Sequence, residues 1–213
     1  MPADTTRVLL VRHGQSEGNV ARVWTSARGG FPLTEMGHEQ ARAVGATLEG
    51  RDVVAVYGSP LVRAQETAAE IASVLGLTAG ELEGVEELHV GVHEGVHDDT
   101  VGPVAEQVFR AWWRDNDLSG GFEGGETGLQ IAARMREALN LVADKYDGTT
   151  AVVVSHGGAM AVGVIALCDL DPAFVATHLL ANCQVVELER SGDGVWTCIS
   201  WAGERPPVRN SSA

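Results

Sequence analysis

Residues 7–12 read RVLLVR and run directly into His13-Gly14-Gln15-Ser16, and residues 151–155 read AVVVS and run into His156-Gly157-Gly158. Both are short, nearly continuous apolar runs, as expected of strands buried on both faces of a parallel sheet. Val53 to Tyr57 (VVAVY) has the same character and leads into Ser59-Pro60-Leu61-Val62-Arg63. Later runs at Gln184 to Leu188 and Val195 to Trp201 read as two more strands, with Ser191-Gly192-Asp193-Gly194 as a hairpin turn between them. Helix signals fall between the strands. Thr34 can N-cap a helix reaching to about Leu48, and Ser59-Pro60 offers a capping hydroxyl followed by proline at the first helical position. Thr127 and Gln130 form a capping box ahead of Leu129, Ile131, Met135, Ala138, Leu139 and Val142, which recur near the helical period. A further apolar helix follows Gly157. Strands alternating with helices predict an α/β fold.

The chain has 213 residues, enough for one sizeable core. A single domain is expected over residues 1–202, with an insertion or lid at 96–125 and a flexible tail at 203–213. The glycine-rich stretch at 119–125 reads as a mobile loop. Apolar residues make up 45% and charged residues 21%, the balance of a globular protein. No apolar run reaches membrane-spanning length, and the N-terminus lacks the pattern of a secretory signal, so a cytoplasmic location is expected. Cys168, Cys183 and Cys198 have long spacings and no CxxC, which argues for buried free thiols rather than a disulfide framework or a zinc site.

The formal net charge is −14. A field of that sign repels nucleic acid and anionic membranes, and neither is expected as a partner. It also repels phosphate esters unless cations converge locally. Lys145 is the one lysine; the other basic residues are arginine, whose planar fork suits phosphate oxygens.

Ligand sites of such sheets gather at the carboxyl ends of the strands. Those ends carry Arg12-His13, Arg63 and His156. Hydrolysis of a phosphate monoester can demand up to ~10²¹-fold acceleration, so one histidine is insufficient. Fixed cations and N–H donors must surround the phosphoryl oxygens, and the leaving group needs a proton. Two arginines, two histidines and two helix N-termini make a suitable set. An RHG or SHGG motif alone is equally at home at a structural turn; the joint placement at strand ends favours chemistry.

The segments VRHGQSEGN, FPLTEMGHEQA, SPLVRAQETA, EELHVGVHEG, GGET and VVVSHGG, in that order, resemble the histidine phosphatase superfamily, also called the phosphoglycerate mutase-like family, over nearly the whole chain to about residue 190. The resemblance implies a three-layer α/β/α sandwich with a mostly parallel central sheet. It implies that His13 takes the phosphoryl group as a phosphohistidine, that Arg12 and Arg63 clamp the phosphoryl oxygens, and that His156 donates a hydrogen bond to them. Asn19 and Gly157 join the substrate-binding set. Glu87, four positions before Gly91 of Gly91-Val92-His93-Glu94-Gly95, matches the acid that protonates the leaving oxygen and then activates water. Such a scheme needs no cofactor and no metal. An attacking imidazole must be neutral, and cationic neighbours help to keep it so.

Glu86 competes with Glu87 for the acid role; neighbours on an extended segment point to opposite sides, and the family register favours Glu87. Glu94 reads as a structural residue that orients a loop. His89, His93 and His97 recur every four residues, but the intervening glycines and valines make a poor helix, so scattered loop positions are expected rather than a metal face. Arg22 and Arg28 follow the nucleophile loop, either as solvated arginines or as a substrate-contacting rim. Trp112 and Trp113 belong to the core or to a lid.

Three functions follow. The first is a metal-independent phosphatase acting on a small phosphorylated metabolite. The second is a phosphoglycerate mutase-type phosphoryl transfer, disfavoured by VHDDTVGPV after Glu94-Gly95, where the mutases have an LNK-like start. The third is a non-catalytic regulatory module, disfavoured because Arg12, His13, Arg63, Glu87 and His156 are all present. A homo-oligomer is left open.

Overall fold

The computed structural model describes residues 5–209. Six strands form one sheet in the order β3-β2-β4-β1-β5-β6, from β1 (Thr6–Arg12), β2 (Val53–Gly58), β3 (Ala79–Glu81), β4 (Thr150–Ser155), β5 (Val185–Arg190) and β6 (Trp196–Trp201). The first four run parallel, and β5 and β6 are antiparallel additions at one edge. The expected mostly parallel sheet is present. The apolar runs of β1 and β4 lie at its centre, where strand periodicity splits them between two cores. Val8, Leu10, Ala151 and Val153 face one core, and Leu9, Val11, Val152 and Val154 face the other.

Helices cover both faces. The first core takes apolar residues of α4 (Asp98–Trp113), α5 (Gly128–Lys145) and α6 (Gly157–Cys168); the second takes those of α2 (Glu35–Thr47) and α3 (Val62–Val74). This is the three-layer sandwich. Short helices α1 (Glu17–Ala21) and α7 (Pro172–Thr177) were not anticipated, because each is about one turn and carries too little periodicity. The caps at Thr34 and Thr127 are formed as expected, the latter with its reciprocal Gln130 bond.

The reading of Ser59-Pro60 as a helix start needs correction. Helix α3 begins at Val62 with Leu61 at the N-cap and no side-chain cap; the Ser59 hydroxyl bonds His156 and accepts only a long 3.4 Å bond from Leu61 N. The segment expected to be a mobile loop is tied down. Glu123 O accepts from Val92 N at 3.0 Å, and Gly121 bridges to Thr127. Trp112 belongs to the core at 1% exposure, its indole donating to Gly120 O. The expected tail is hydrogen-bonded as far as Arg209, through Asp171 N to Pro207 O and Arg209 N to Asp169 O; positions 210–213 lie outside the described residues. Among the described residues no helix is long and apolar enough to cross a membrane.

Candidate active site

The strand order places β4 between β2 and β1, so the residues following these three strands meet at one edge. His156, which N-caps α6, sits between Ser59 after β2 and His13 after β1. The two imidazole centroids are 5.0 Å apart. Both rings are buried, at 3% exposure for His13 and 0% for His156.

The hydrogen bonds of His13 define its tautomer. Nδ1 lies 2.7 Å from Gly14 O, which can only accept, so Nδ1 carries the proton. Nε2 receives Arg63 Nε–H at 3.1 Å, and a guanidinium can only donate, so Nε2 presents a lone pair. Burial, then the charge of Arg63, and more weakly that of Arg12, hold the His13 pKa well below 6.5 against the opposing pull of Gly14 O. The ring is thus a neutral base with its lone pair facing a cation. Thr67 braces the arrangement, since its hydroxyl donates to Arg63 O at 2.6 Å and accepts from Gly14 N at 3.0 Å.

His156 is also held neutral, first by burial and then by Arg63 and His13. Its Nε2 is 2.6 Å from Ser59 Oγ, which also accepts a long 3.4 Å bond from Leu61 N. Donation from the Ser59 hydroxyl to Nε2 uses the hydroxyl's own proton and leaves the imidazole proton on Nδ1. That Nδ1 is buried without a partner. Arg12 Nε and Arg63 Nη1 are in the same condition. Five buried side-chain nitrogens without a partner occur among the described residues, and three of them belong to these residues. Buried polar groups are ordinarily paired, so three unpaired donors gathered here set this site apart among the described residues.

Glu87 closes the opposite side. Its carboxylate accepts from Leu88 N and Ala159 N, both at 2.9 Å, and from Gly158 N at 3.3 Å, which places it on the N-terminus of α6. A Cβ at position 158 would overlap Leu88 Cδ2 and lie 2.9 Å from Glu87 Oε1, so only glycine allows this approach. Glu86 turns away, accepting from Gly84 N at 2.7 Å and facing Arg134 at 3.8 Å.

Arg12, His13, Arg63 and Glu87 open into a cleft of about 360 Å³ that Asn19 and Gly158 also line; His156 and Gly157 are outside its lining. Residues 8–203 match the profile of the histidine phosphatase superfamily, branch 1. The chain belongs to that superfamily. Probable phosphoglycerate mutase GpmB of Serratia proteamaculans is 32% identical over 203 residues, covering 93% of this chain and 91% of that protein. The PE-PGRS family protein PE_PGRS11 of Mycobacterium tuberculosis is 29% identical over 91% of this chain, which spans only 36% of that protein's length. Among solved structures, a mycobacterial glucosyl-3-phosphoglycerate phosphatase complexed with VO3 aligns with a TM-score of 0.78 at 27% identity, covering 93% of this chain and 99% of that one.

The remaining sequence candidates of this superfamily member separate clearly. Asn19 lines the cleft and accepts from Ser16 N and from Asn182 Nδ2. Gly157 abuts Arg12, its projected Cβ 3.4 Å from Arg12 Nε. Arg22 lines the cleft but is paired with Asp98 and Asp99 of α4, each at 2.8 Å. Arg28, offered as a solvated arginine or a rim residue, is an exposed side chain paired with Glu81 and Glu83. Glu94 orients a loop as expected. It receives Thr25 Oγ1, Ser26 N, Ser26 Oγ and Ala27 N, and Thr25 O in turn accepts from Arg63 Nη2. Burial opposes its charge, but those donors from Ser26, Thr25 and Ala27 outweigh it and keep its pKa below the usual range. The three spaced histidines diverge: His93 packs edge-on against Phe122, and His97 N-caps α4. All three cysteines are buried free thiols, and burial raises Cys168 and Cys183 to about 12.

Sequence reading missed Ser59 as a site residue, together with Asn182, Trp24, Asp98 and Phe109. Ser59 was visible but explained as a cap. Asn182 donates to His13 O at 3.0 Å, yet no motif announces it; its loop reaches the site only because β5 pairs with β1.

Proposed function

We propose that this chain is a phosphatase that hydrolyses the phosphate monoester of a small metabolite through a phosphohistidine at His13. The observation that carries this is the set of three unpaired buried nitrogens on Arg12, Arg63 and His156 around a neutral His13. A phosphoryl group supplies three equatorial oxygens, each an acceptor, and is the ligand that satisfies all three donors. Arg63 then turns from holding the His13 lone pair to holding phosphoryl oxygen, which frees Nε2 to attack.

The N–P bond forms at His13 Nε2 as the P–O bond to the alcohol breaks, and Glu87 delivers its proton to the leaving oxygen. Water then attacks phosphorus, Glu87 takes its proton, and the N–P bond breaks. The proton that Glu87 delivers can come from the substrate itself. A monoester monoanion carries one below its second pKa of about 6. The scheme assigns the phosphoryl charge to guanidinium and N–H groups and calls on no metal. A cytoplasmic location belongs to the same reading.

A mutase outcome is the second reading, favoured by the likeness to probable phosphoglycerate mutase GpmB. The test is phosphate release from p-nitrophenyl phosphate with chelator present, for the parent and for His13→Ala, alongside isomerisation of 3-phosphoglycerate. Release by the parent alone, with acid-labile label on the protein, supports the phosphatase. Isomerisation without release supports the mutase, and equal release by His13→Ala overturns the role of His13.

A further inference from the structure

Above the cationic floor, the cleft changes character. Arg22 is the one other cation in the lining, and a single Nη2 donates to both Asp98 Oδ2 and Asp99 Oδ1 at 2.8 Å. Asp98 lines the cleft with Arg22, and the exposed Asp99 just outside the lining shares the same guanidinium, so one cation faces two carboxylates and the rim is net negative. Trp24 Nε1 is used as well, donating to Asp98 Oδ1 at 2.9 Å, so the tryptophan presents its ring rather than a donor. That ring lies near-parallel to Phe109 at 6.1 Å and 25°, and Phe109 stacks on Trp113 at 4.5 Å and 12°. Val23, Leu88 and Val90 complete an apolar wall. The backbone fixes the wall to the rim: Trp24 N donates to Val96 O, and Asp98 N to Arg22 O.

We infer that the cleft takes phosphate esters whose alcohol part is uncharged and carries an aromatic or apolar body, and that Asp98 and Asp99 disfavour esters with a second anionic group. This rests on the phosphatase reading for the floor but is carried by different residues. The relatives whose names contain phosphoglycerate concern carboxylate-bearing substrates. The rim here opposes that charge. With 41% and 70% of the two aspartate side chains exposed, solvent screens the effect. A discrimination of roughly fivefold is expected, the scale of an exposed charge interaction.

The test is calorimetric binding of three non-hydrolysable phosphonates: methyl-, 4-carbamoylbenzyl- and 4-carboxybenzylphosphonate. The last two match in shape and differ in charge. The carbamoyl compound should bind most tightly, about fivefold better than the carboxylate at low salt, with the gap shrinking in high salt. Asp98→Asn/Asp99→Asn should narrow or invert the ratio, since the amide oxygen introduced at position 98 can still accept from Trp24 while Arg22 becomes available. Equal or tighter binding of the carboxylate by the parent, a gap indifferent to salt, or methylphosphonate binding as well as the benzyl compounds would each overturn the inference. Turnover of the matching benzyl phosphates is measured separately. The binding order decides the ligand class, and absent turnover with that order intact counts against the phosphatase reading alone.

Discussion

Replacing Ser59 by alanine removes one hydroxyl from a site where both partners are fully buried. His156 Nε2 then has no donor, and an unsatisfied buried acceptor costs about 1–3 kcal/mol. For a chain of this size, 1 kcal/mol corresponds to about 2–4 °C in Tm, so a fall of roughly 2–12 °C is expected. The functional effect comes from the tautomer. Without the Ser59 proton on Nε2, the imidazole proton is free to occupy that position, and Nδ1 loses the hydrogen it would give the phosphoryl group. Loss of one preorganised donor bounds the decrease in kcat at about 10²–10³-fold, and a mixture of tautomers gives roughly tenfold or more. Scanning calorimetry, steady-state kinetics and ¹⁵N shifts of the imidazoles measure the three consequences, with Ser59→Thr as the variant that keeps the hydroxyl. A lowered Tm with unchanged kcat and an unmoved His156 tautomer would refute the argument, because it would reduce Ser59 to packing.

Other consequences follow from the same geometry. Gly158→Ala should destabilise by roughly 1–3 kcal/mol, as overpacking does, and displace Glu87; urea unfolding and turnover of an alkyl ester report the two effects, and a neutral result in both would contradict the close approach. Glu87→Gln should slow an alkyl phosphate at least tenfold more than p-nitrophenyl phosphate, whose leaving group needs little protonation; equal losses would remove the acid role. His13 and His156 are held neutral in the fold, with pKa values well below 6.5. As pH drops below about 6.5 the unfolded chain therefore binds more protons than the folded one, and stability present above that pH is lost beneath it. His156→Asn should make that loss shallower by roughly 1.4 kcal/mol per pH unit, measured by urea unfolding at pH 7.5 and 5.5, and an unchanged slope would show that His156 titrates normally.

How much of this was legible depends on range. The strands at 7–12, 53–57 and 151–155 announce themselves because burial on both faces leaves an unbroken apolar run, and their ends carried Arg12, His13, Arg63 and His156 into view. What periodicity does not encode is which strands are neighbours. The order β2-β4-β1 brings Ser59 against His156, and the β1–β5 pairing brings Asn182 to His13 O. Ser59-Pro60 followed the local rule for a helix start, but the helix begins at Val62 and the Ser59 hydroxyl is shared between Leu61 N and the long-range partner His156. Nor does nearness in sequence to the nucleophile loop reveal the carboxylates at and just after β3 with which Arg28 pairs. The choice of Glu87 over Glu86 came from the family register, and the structure places Glu87 in the cleft lining and Glu86 outside it.

On the proposed reading, the placement of charge would let a chain of net charge −14 hold a phosphate ester. Arg63 is buried and Arg12 half-buried, and each feels the other's charge or that of Glu87. Burial is the main influence lowering both pKa values; Glu87 opposes it for both, and Glu94 opposes it for Arg63 alone. Glu94 also holds the loop whose Thr25 O accepts Arg63 Nη2. On the proposed reading, an anion between these cations and N–H donors would satisfy them. Because only the folded chain offers this arrangement, binding must stabilise the fold by RT ln(1 + [L]/Kd), about 2.7 kcal/mol at a hundredfold excess over Kd. Inorganic phosphate should therefore raise Tm, and the shift should shrink in Arg63→Ala more than in Arg28→Ala, since Arg28 lies outside the cleft. Equal shifts in the two variants would place the anion elsewhere than between His13, Arg63 and His156.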